Sequence, residues 1–245
     1  MCTVSWLRTP GGYSLCCNRD ERFTRAPALP PAVREQRGVP YLAPLDGDFG
    51  GSWLAVNAFG LTLSLLNRYR VEGYVAPAAP LSRGLLLLDL IVSPAAADAR
   101  STLTRTDLHQ VQPFTLIIVA PDSDAHLARW DGEQLAFSSS NASGLLATSS
   151  AVSEPEVAES RIARFSSLAP VTLEGLEALH RSHLPERGRL SICMHRTDAE
   201  TQSYSRVSVT SRQVTLAHTG ASPCREVPPV SLNIPRRIAT IEPVR

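Results

Sequence analysis

The chain has 245 residues, 43% hydrophobic and 19% charged, with a formal net charge of +1. This globular composition is long enough for one sizeable core, expected as a single domain over 1–245, and its charge balance selects neither nucleic acid nor an anionic membrane surface. All 24 basic residues are arginine, which excludes mechanisms that require lysine: Schiff-base chemistry, a PLP anchor, a Walker A phosphate site or a kinase ATP site.

The chain opens with a predicted hairpin, Thr3–Leu7 and Tyr13–Cys17 around the turn cluster Thr9-Pro10-Gly11-Gly12. Residues 24–47 carry many prolines and read as an extended surface loop. Strands Ser52–Asn57 and Leu61–Leu66 follow. Ser82 caps a helix through Leu85–Ile91, and Ser93-Pro94 is an N-cap and N1 pair for the next. Strands are predicted at Phe114–Ala120, His126–Trp130 and Gln134–Phe137, the last two joined by Asp131-Gly132. Residues 138–150 are rich in Ser, Asn and Gly. Ser153-Glu154-Pro155-Glu156 fits a capping box for a helix toward Phe165, and a second helix runs from Thr172 to His183. Strands Leu190–His195, Ser203–Val209 and Val214–His218 close the fold, leaving an irregular proline-rich tail. Blocks of hairpin-linked strands separated by blocks of helices imply an α+β fold of antiparallel sheets covered by helices.

The cysteines, Cys2, Cys16, Cys17, Cys193 and Cys224, form an odd and sparse set with no CxxC pair, unlike a disulfide framework. Cys16 and Cys17 point to opposite faces of one strand and cannot chelate together. The start lacks the basic and apolar regions of a signal peptide, and the longest apolar stretches, 85–92 and 116–120, are too short to span a bilayer. A cytoplasmic location is expected, and the arginine bias suggests a bacterium with a GC-rich genome.

The hairpin places Cys2. A symmetric turn at Thr9–Gly12 sets Tyr13 opposite Arg8 and Arg19 opposite Cys2, with Cβ atoms about 5 Å apart in directly opposed pairs. Asn18 and Asp20 lie one step away. A small second residue permits removal of Met1, which would expose an α-amine with a pKa of roughly 7.7–8.0 beside a thiol of roughly 8.5. One residue then supplies nucleophile and base, Arg19 favours the thiolate, and Asp20 orients the arginine or the ammonium. An arginine–aspartate pair at a strand end is more often a surface ion pair, and the residues alone leave both readings open.

Met1-Cys2-Thr3 followed by Asn18-Arg19-Asp20-Glu21 resembles the NRDE family, also called the transport-and-Golgi-organisation-2 family. Gly50-Gly51-Ser52-Trp53-Leu54, Leu65-Leu66-Asn67-Arg68-Tyr69, Ser82-Arg83-Gly84 and Phe114-Thr115-Leu116 are similar to further family segments in the same order. The resemblance implies the N-terminal nucleophile hydrolase fold, a four-layer αββα sandwich. It also implies catalytic roles for Cys2, Arg19 and Asp20, with Asn67 as an oxyanion donor. Asn18, Glu21 and Trp53 of the same motifs are candidate ligand contacts. Two segments depart from the pattern: Thr148-Ser149-Ser150 has serine where the related acylases have asparagine, and Glu200-Thr201-Gln202-Ser203 lacks the arginine of the eukaryotic relatives.

Other candidates are weaker. His180 and His183 sit near a helix C-terminus, where the dipole favours histidine, and with no second ligand pair evident no metal site is assigned. Cys193 and His195 alternate onto one strand face and could pair or touch haem, though a sheet face beneath a helix is the simpler account. Arg22 and Arg25 either bind an anion or are solvated. Two functions remain: an N-terminal-cysteine amidohydrolase acting on a small-molecule amide with no cofactor, or a non-catalytic carrier of haem or an acyl lipid in the same cleft.

Overall fold

In the computed structural model, which describes residues 2–140 and 144–238, β1 (Cys2–Thr9) and β2 (Gly12–Arg22) form the opening hairpin. Gly11 takes the left-handed conformation (φ 75°) that the Pro10-Gly11 turn needs. Cys2 lies opposite Arg19 and Arg8 opposite Tyr13, the register expected from the turn. The hairpin sits inside a six-stranded antiparallel sheet. β10 (Gly144–Ser149) flanks β1, and β11 (Ala199–Val209), β12 (Gln213–Thr219) and β13 (Val230–Pro235) continue beyond β2.

The second sheet runs in chain order: β3 (Leu29–Gln36), β4 (Val39–Leu45), β5 (Leu54–Asn57), β6 (Thr62–Asn67), β7 (Phe114–Val119), β8 (Ala125–Trp130) and β9 (Leu135–Ser140). Alternation along the strands gives each sheet two apolar faces. Val4, Trp6, Leu15 and Cys17 meet Leu54, Val56, Ile117 and Val119 between the sheets. Leu63, Leu65 and Ile118 face outward onto α1 (Arg83–Leu90) and α2 (Ala96–Arg105), through Leu87, Leu90, Ala99 and Leu103. On the opposite outer face, α3 (Glu154–Ser166) and α4 (Leu173–Arg181) cover Cys16, Leu146 and Tyr204. The four layers are αββα, the α+β sandwich expected from the resemblance. Among the described residues no helix is long and apolar enough to cross a membrane.

Several local expectations are corrected. Residues 24–47 contain the β3–β4 hairpin, closed by Arg37-Gly38 at φ 51° and 75°. Pro30 and Pro31 are tolerated because β3 is an edge strand, and the pairing shifts register where they fall. β13 occupies the proline-rich tail for the same reason, at an edge of the six-stranded sheet. The second helix begins at Ala96, not after Ser93, whose carbonyl accepts from buried Asn57 Nδ2 at 2.8 Å. Ser153 sits at φ 49°, so its hydroxyl makes no capping bond and the box does not form. The segment 138–150 holds the end of β9 and all of β10; residues 141–143 lie outside those described.

Leu190–His195 is no strand. Its backbone is satisfied locally instead: Cys193 N donates to Ser182 O (3.1 Å), Met194 N to Thr201 Oγ1 (2.8 Å), and Ile192 O accepts from Asn18 Nδ2 (3.0 Å). Nearby, His180 is fully buried and joins α4 to the hairpin. Its Nδ1 meets Asn18 Oδ1 at 2.9 Å, an acceptor, so Nδ1 carries the proton and Nε2 accepts from Ser5 Oγ at 2.8 Å.

Burial pushes the His180 pKa down to about 3. The unfolded ring takes a proton near pH 6.5 and the folded ring does not until about 3. The unfolded state therefore binds the extra proton between these values, and stability is full above the window and lost as pH falls through it. Urea unfolding from pH 6.5 to 4.5 should show the wild type losing stability, with His180→Gln shallower by up to about 1.4 kcal/mol per pH unit. Parallel slopes would contradict a neutral, buried His180.

Candidate active site

A cavity of about 240 Å3 opens where the start of β1 and the end of β2 meet the second sheet. Cys2, Arg19, Asp20 and Glu21 line it from the first sheet, Trp53, Leu65 and Asn67 from the second, and Phe49 and the Leu81–Gly84 turn close its sides. Cys2 is held between two strands, opposite Ser149 on β10 and Arg19 on β2, with Ser203 of β11 beyond Arg19. Directly paired residues share a face, so these four side chains form a row turned toward the second sheet.

Arg19 is buried and bound on several sides. Its Nη2 donates to Asp46 Oδ2 at 2.7 Å and lies 3.3 Å from Glu21 Oε2, and its guanidinium stacks 4.5 Å over the Trp53 ring. Asp46 ties the loop together: Arg25 Nη2 reaches both its oxygens at 2.7 Å, and its Oδ1 accepts from the amides of Asp48 and Phe49. Gly51 and Gly84 pack backbone to backbone; a Cβ on Gly51 would stand 2.5 Å from Gly84 C, and Ser52 N donates to Gly84 O at 3.1 Å. This contact brings the Gly-Gly-Ser-Trp and Ser-Arg-Gly segments to one cavity wall.

Asp20, the next residue along β2, meets the helical layer. Thr201 Oγ1 donates to its Oδ1 at 2.6 Å, and Nη1 of Arg161, on α3, lies 3.4 Å from its Oδ2. Both ionic side chains are buried. Arg161 Nη1 also donates to Thr3 Oγ1 (2.6 Å) and Thr148 Oγ1 (3.1 Å), and Thr148 Oγ1 donates to Cys2 O (3.2 Å). The segment Glu200-Thr201-Gln202-Ser203 carries no arginine; a guanidinium reaches Asp20 from a helix instead. Burial raises the Asp20 pKa and Arg161 opposes it. Burial also pushes the Cys2 thiol up, Asp20 adds to that, and Arg19 works against it.

The candidate residues separate by face. Cys2, Arg19, Glu21, Trp53 and Asn67 line the cavity, with Asn67 Nδ2 donating to Tyr69 Oη at 3.1 Å, and Asp20 reaches its lining from the helical side of β2. Asn18 does not join them. Its side chain faces α4, bonded to His180 and to Ile192 O, because alternation on β2 turns it away from Arg19. Ser149 Oγ, Ser203 Oγ and Trp53 Nε1 are buried with no hydrogen-bond partner, and of the three residues Trp53 lines the cavity. Ser149 was within reach of sequence reasoning through the Thr148-Ser149-Ser150 segment; Asp46 and Arg161 carry no local signal.

The αββα sandwich has the N-terminal-nucleophile-hydrolase-like fold of solved amidases and acylases. It is similar to a Caenorhabditis elegans N-acylethanolamine-hydrolyzing acid amidase ortholog (TM-score 0.59, 12% identity, 84% of this chain and 92% of that one). A variant of conjugated bile acid hydrolase from Clostridium perfringens superposes with TM-score 0.58 at 13% identity over 100% of both chains. Penicillin V acylase from Agrobacterium tumefaciens gives 0.55 at 9% identity, covering 96% of this chain and 86% of that one. No curated protein matches in sequence. The sequence profile of the Transport and Golgi organisation 2 family matches residues 1–167, and the chain belongs to that family.

The buried Asp20–Arg161 pair yields a stability prediction. Arg161→Met should cost about 3–5 kcal/mol in urea unfolding, because it strands a buried carboxylate. Adding Asp20→Asn should recover part of that loss. A single-variant cost below about 1 kcal/mol would contradict a paired, charged Asp20.

Proposed function

We propose that the protein, acting as one domain over residues 1–245, hydrolyses the amide bond of a small N-acyl compound, with Cys2 as nucleophile after removal of Met1. The observation that carries this reading is Cys2 in the wall of a closed-sided cavity, flanked in register by Arg19 and Ser149. The names of the structural neighbours, an acid amidase, a conjugated bile acid hydrolase and an acylase, support amide cleavage as the reaction class.

Burial keeps the resting thiol protonated, so attack needs a base at hand. The freed α-amine of Cys2 is that base. It takes the Sγ proton as sulfur bonds to the amide carbon and the carbonyl electrons move to oxygen. Asn67 and Ser149 stand ready to donate to that oxyanion. Collapse breaks the carbon–nitrogen bond, and the α-ammonium passes its proton to the leaving amine. Water then attacks the thioester, giving a proton back through the amine, and releases a carboxylic acid and the free thiol. Asp20, anchored by Thr201 and Arg161, holds the ammonium in place. Arg19 is fixed by Asp46, Glu21 and Trp53 and sets the local potential. Phe49, Trp53, Leu65 and Leu81 offer an apolar wall for the acyl part.

Intact mass and a panel of chromogenic N-acyl amides test the proposal together. The expected result is loss of Met1, turnover of at least one amide, and a drop on the order of a thousandfold in Cys2→Ala. Asn67→Ala should lower kcat by about 100-fold or more with little change in KM. Retained Met1, or turnover indifferent to Cys2→Ala, would overturn the proposal. Tight binding of hemin or a fatty acid without any turnover would establish a carrier instead.

A further inference from the structure

His183, Cys193, His195 and Cys224 converge beside the start of β11, and none of them lines the cavity that holds Cys2. Each offers one ligand atom, and the four atoms lie within 4.8 Å of one another. His195 Nε2 stands 3.6 Å from Cys193 Sγ and 3.4 Å from Cys224 Sγ. Zinc bonds of about 2.3 Å to sulfur and 2.0–2.1 Å to nitrogen, at a tetrahedral angle, place sulfur and nitrogen about 3.6 Å apart. The two His195–sulfur distances match that spacing.

The surroundings agree. His195 Nδ1, the nitrogen turned away from the sulfurs, meets Glu200 Oε2 at 3.2 Å with Arg187 Nη2 farther off at 3.4 Å, and Arg225 Nη2 holds both Glu200 oxygens at 2.9 Å. A carboxylate behind a ligating imidazole fixes its tautomer and raises its basicity. The His183 ring packs 5.1 Å from the His195 ring, and His183 Nε2 is buried with no hydrogen-bond partner. A cation among the four would give that nitrogen a partner; a disulfide between the two cysteines would leave it with none.

We infer that His183, Cys193, His195 and Cys224 form a structural Zn2+ site. Two thiolates and two imidazoles gathered around one point are a zinc donor set, and four protein ligands leave no open position for chemistry. The site also explains how an irregular segment is held in order. Met194, between two ligands, is bonded to Thr201 in both directions, N to Oγ1 at 2.8 Å and O to N at 2.8 Å, and Thr201 Oγ1 braces Asp20. The ion clamps the strand end that positions Asp20, whatever reaction the cavity performs. Sequence spacing concealed the set because its members lie after α4, in the segment before β11 and beyond β12.

The test uses the full chain, produced with zinc supplied and purified without chelating resin, with metal content measured by elemental and native mass spectrometry. About one zinc per chain is expected. Cys224→Ser and His183→Ala should each lower zinc affinity at least tenfold, and Glu200→Gln should do so by about 10–100-fold. His109→Ala, at an exposed histidine, should retain the full equivalent. Cobalt substitution of the folded wild type should give the visible bands of a tetrahedral dithiolate site, and a chelator should lower its Tm, so the result does not depend on the variants folding. Wild-type protein with less than about a tenth of an equivalent of zinc would overturn the inference. A mass short by two hydrogens with Cys193 and Cys224 in one disulfide-linked peptide would also overturn it, as would undiminished zinc in Cys224→Ser.

Discussion

β1 lies between β10 and β2, and that placement governs the rest of the site. A strand with a partner on each side has its backbone fixed by two ladders, so its first residue has little freedom to fray. Cys2 is therefore set opposite Ser149 and Arg19 by hydrogen bonding many residues long, not by contacts of its own side chain. A slip of one residue would turn every β1 side chain to the other face and exchange the cavity thiol for Thr3. Val4 and Trp6, buried between the sheets, resist that slip, so the inter-sheet core and the position of the sulfur are enforced together.

The electrostatics are arranged in two tiers on the two faces of β2. Arg19 looks into the cavity and is neutralised by Asp46 and Glu21, with Trp53 under its plane. Asp20 meets the helical layer and is neutralised by Arg161. Neighbouring residues of opposite charge thus avoid spending their charge on each other. Desolvating each ion is costly: Asp20 and Arg161 each have a counter-charge and neutral hydrogen-bonding partners, and Arg19 has two carboxylates and the Trp53 ring. Arg161 has a second role through Thr3 and Thr148: it ties α3 to the two strands that hold Cys2. The Thr201 brace extends the network to β11 and to the cluster of His183, Cys193, His195 and Cys224.

Much of this arrangement was legible from residues alone. The turn cluster Thr9–Gly12 dictated the hairpin register, and register dictated the proximity of Cys2 and Arg19. Alternation separated Cys16 from Cys17, and the same rule, applied to Asn18, would have turned it from the cavity toward α4. Edge strands were hidden because proline suppresses the usual strand signal, yet an edge needs fewer backbone donors; β3 and β13 are both of this kind. Arg161 and Asp46 were invisible because each acts across a tertiary contact with no spacing rule, one from a helix face and one from a loop. The metal-ligand set was hidden because its segment, read as a strand by its apolar residues, folds by side-chain bonding to backbone. Periodicity cannot register that arrangement.

The central claim is that the sulfur of Cys2 takes the acyl group from an amide. Acid quenching of the protein during turnover of a reactive N-acyl substrate, followed by intact-mass measurement and peptide mapping, examines that bond itself. The account predicts a mass increase of one acyl group, located on the peptide that begins at Cys2 and released by hydroxylamine. An acyl group mapped to another residue, or turnover with no acylated protein in Asn67→Ala and wild type alike, would contradict it.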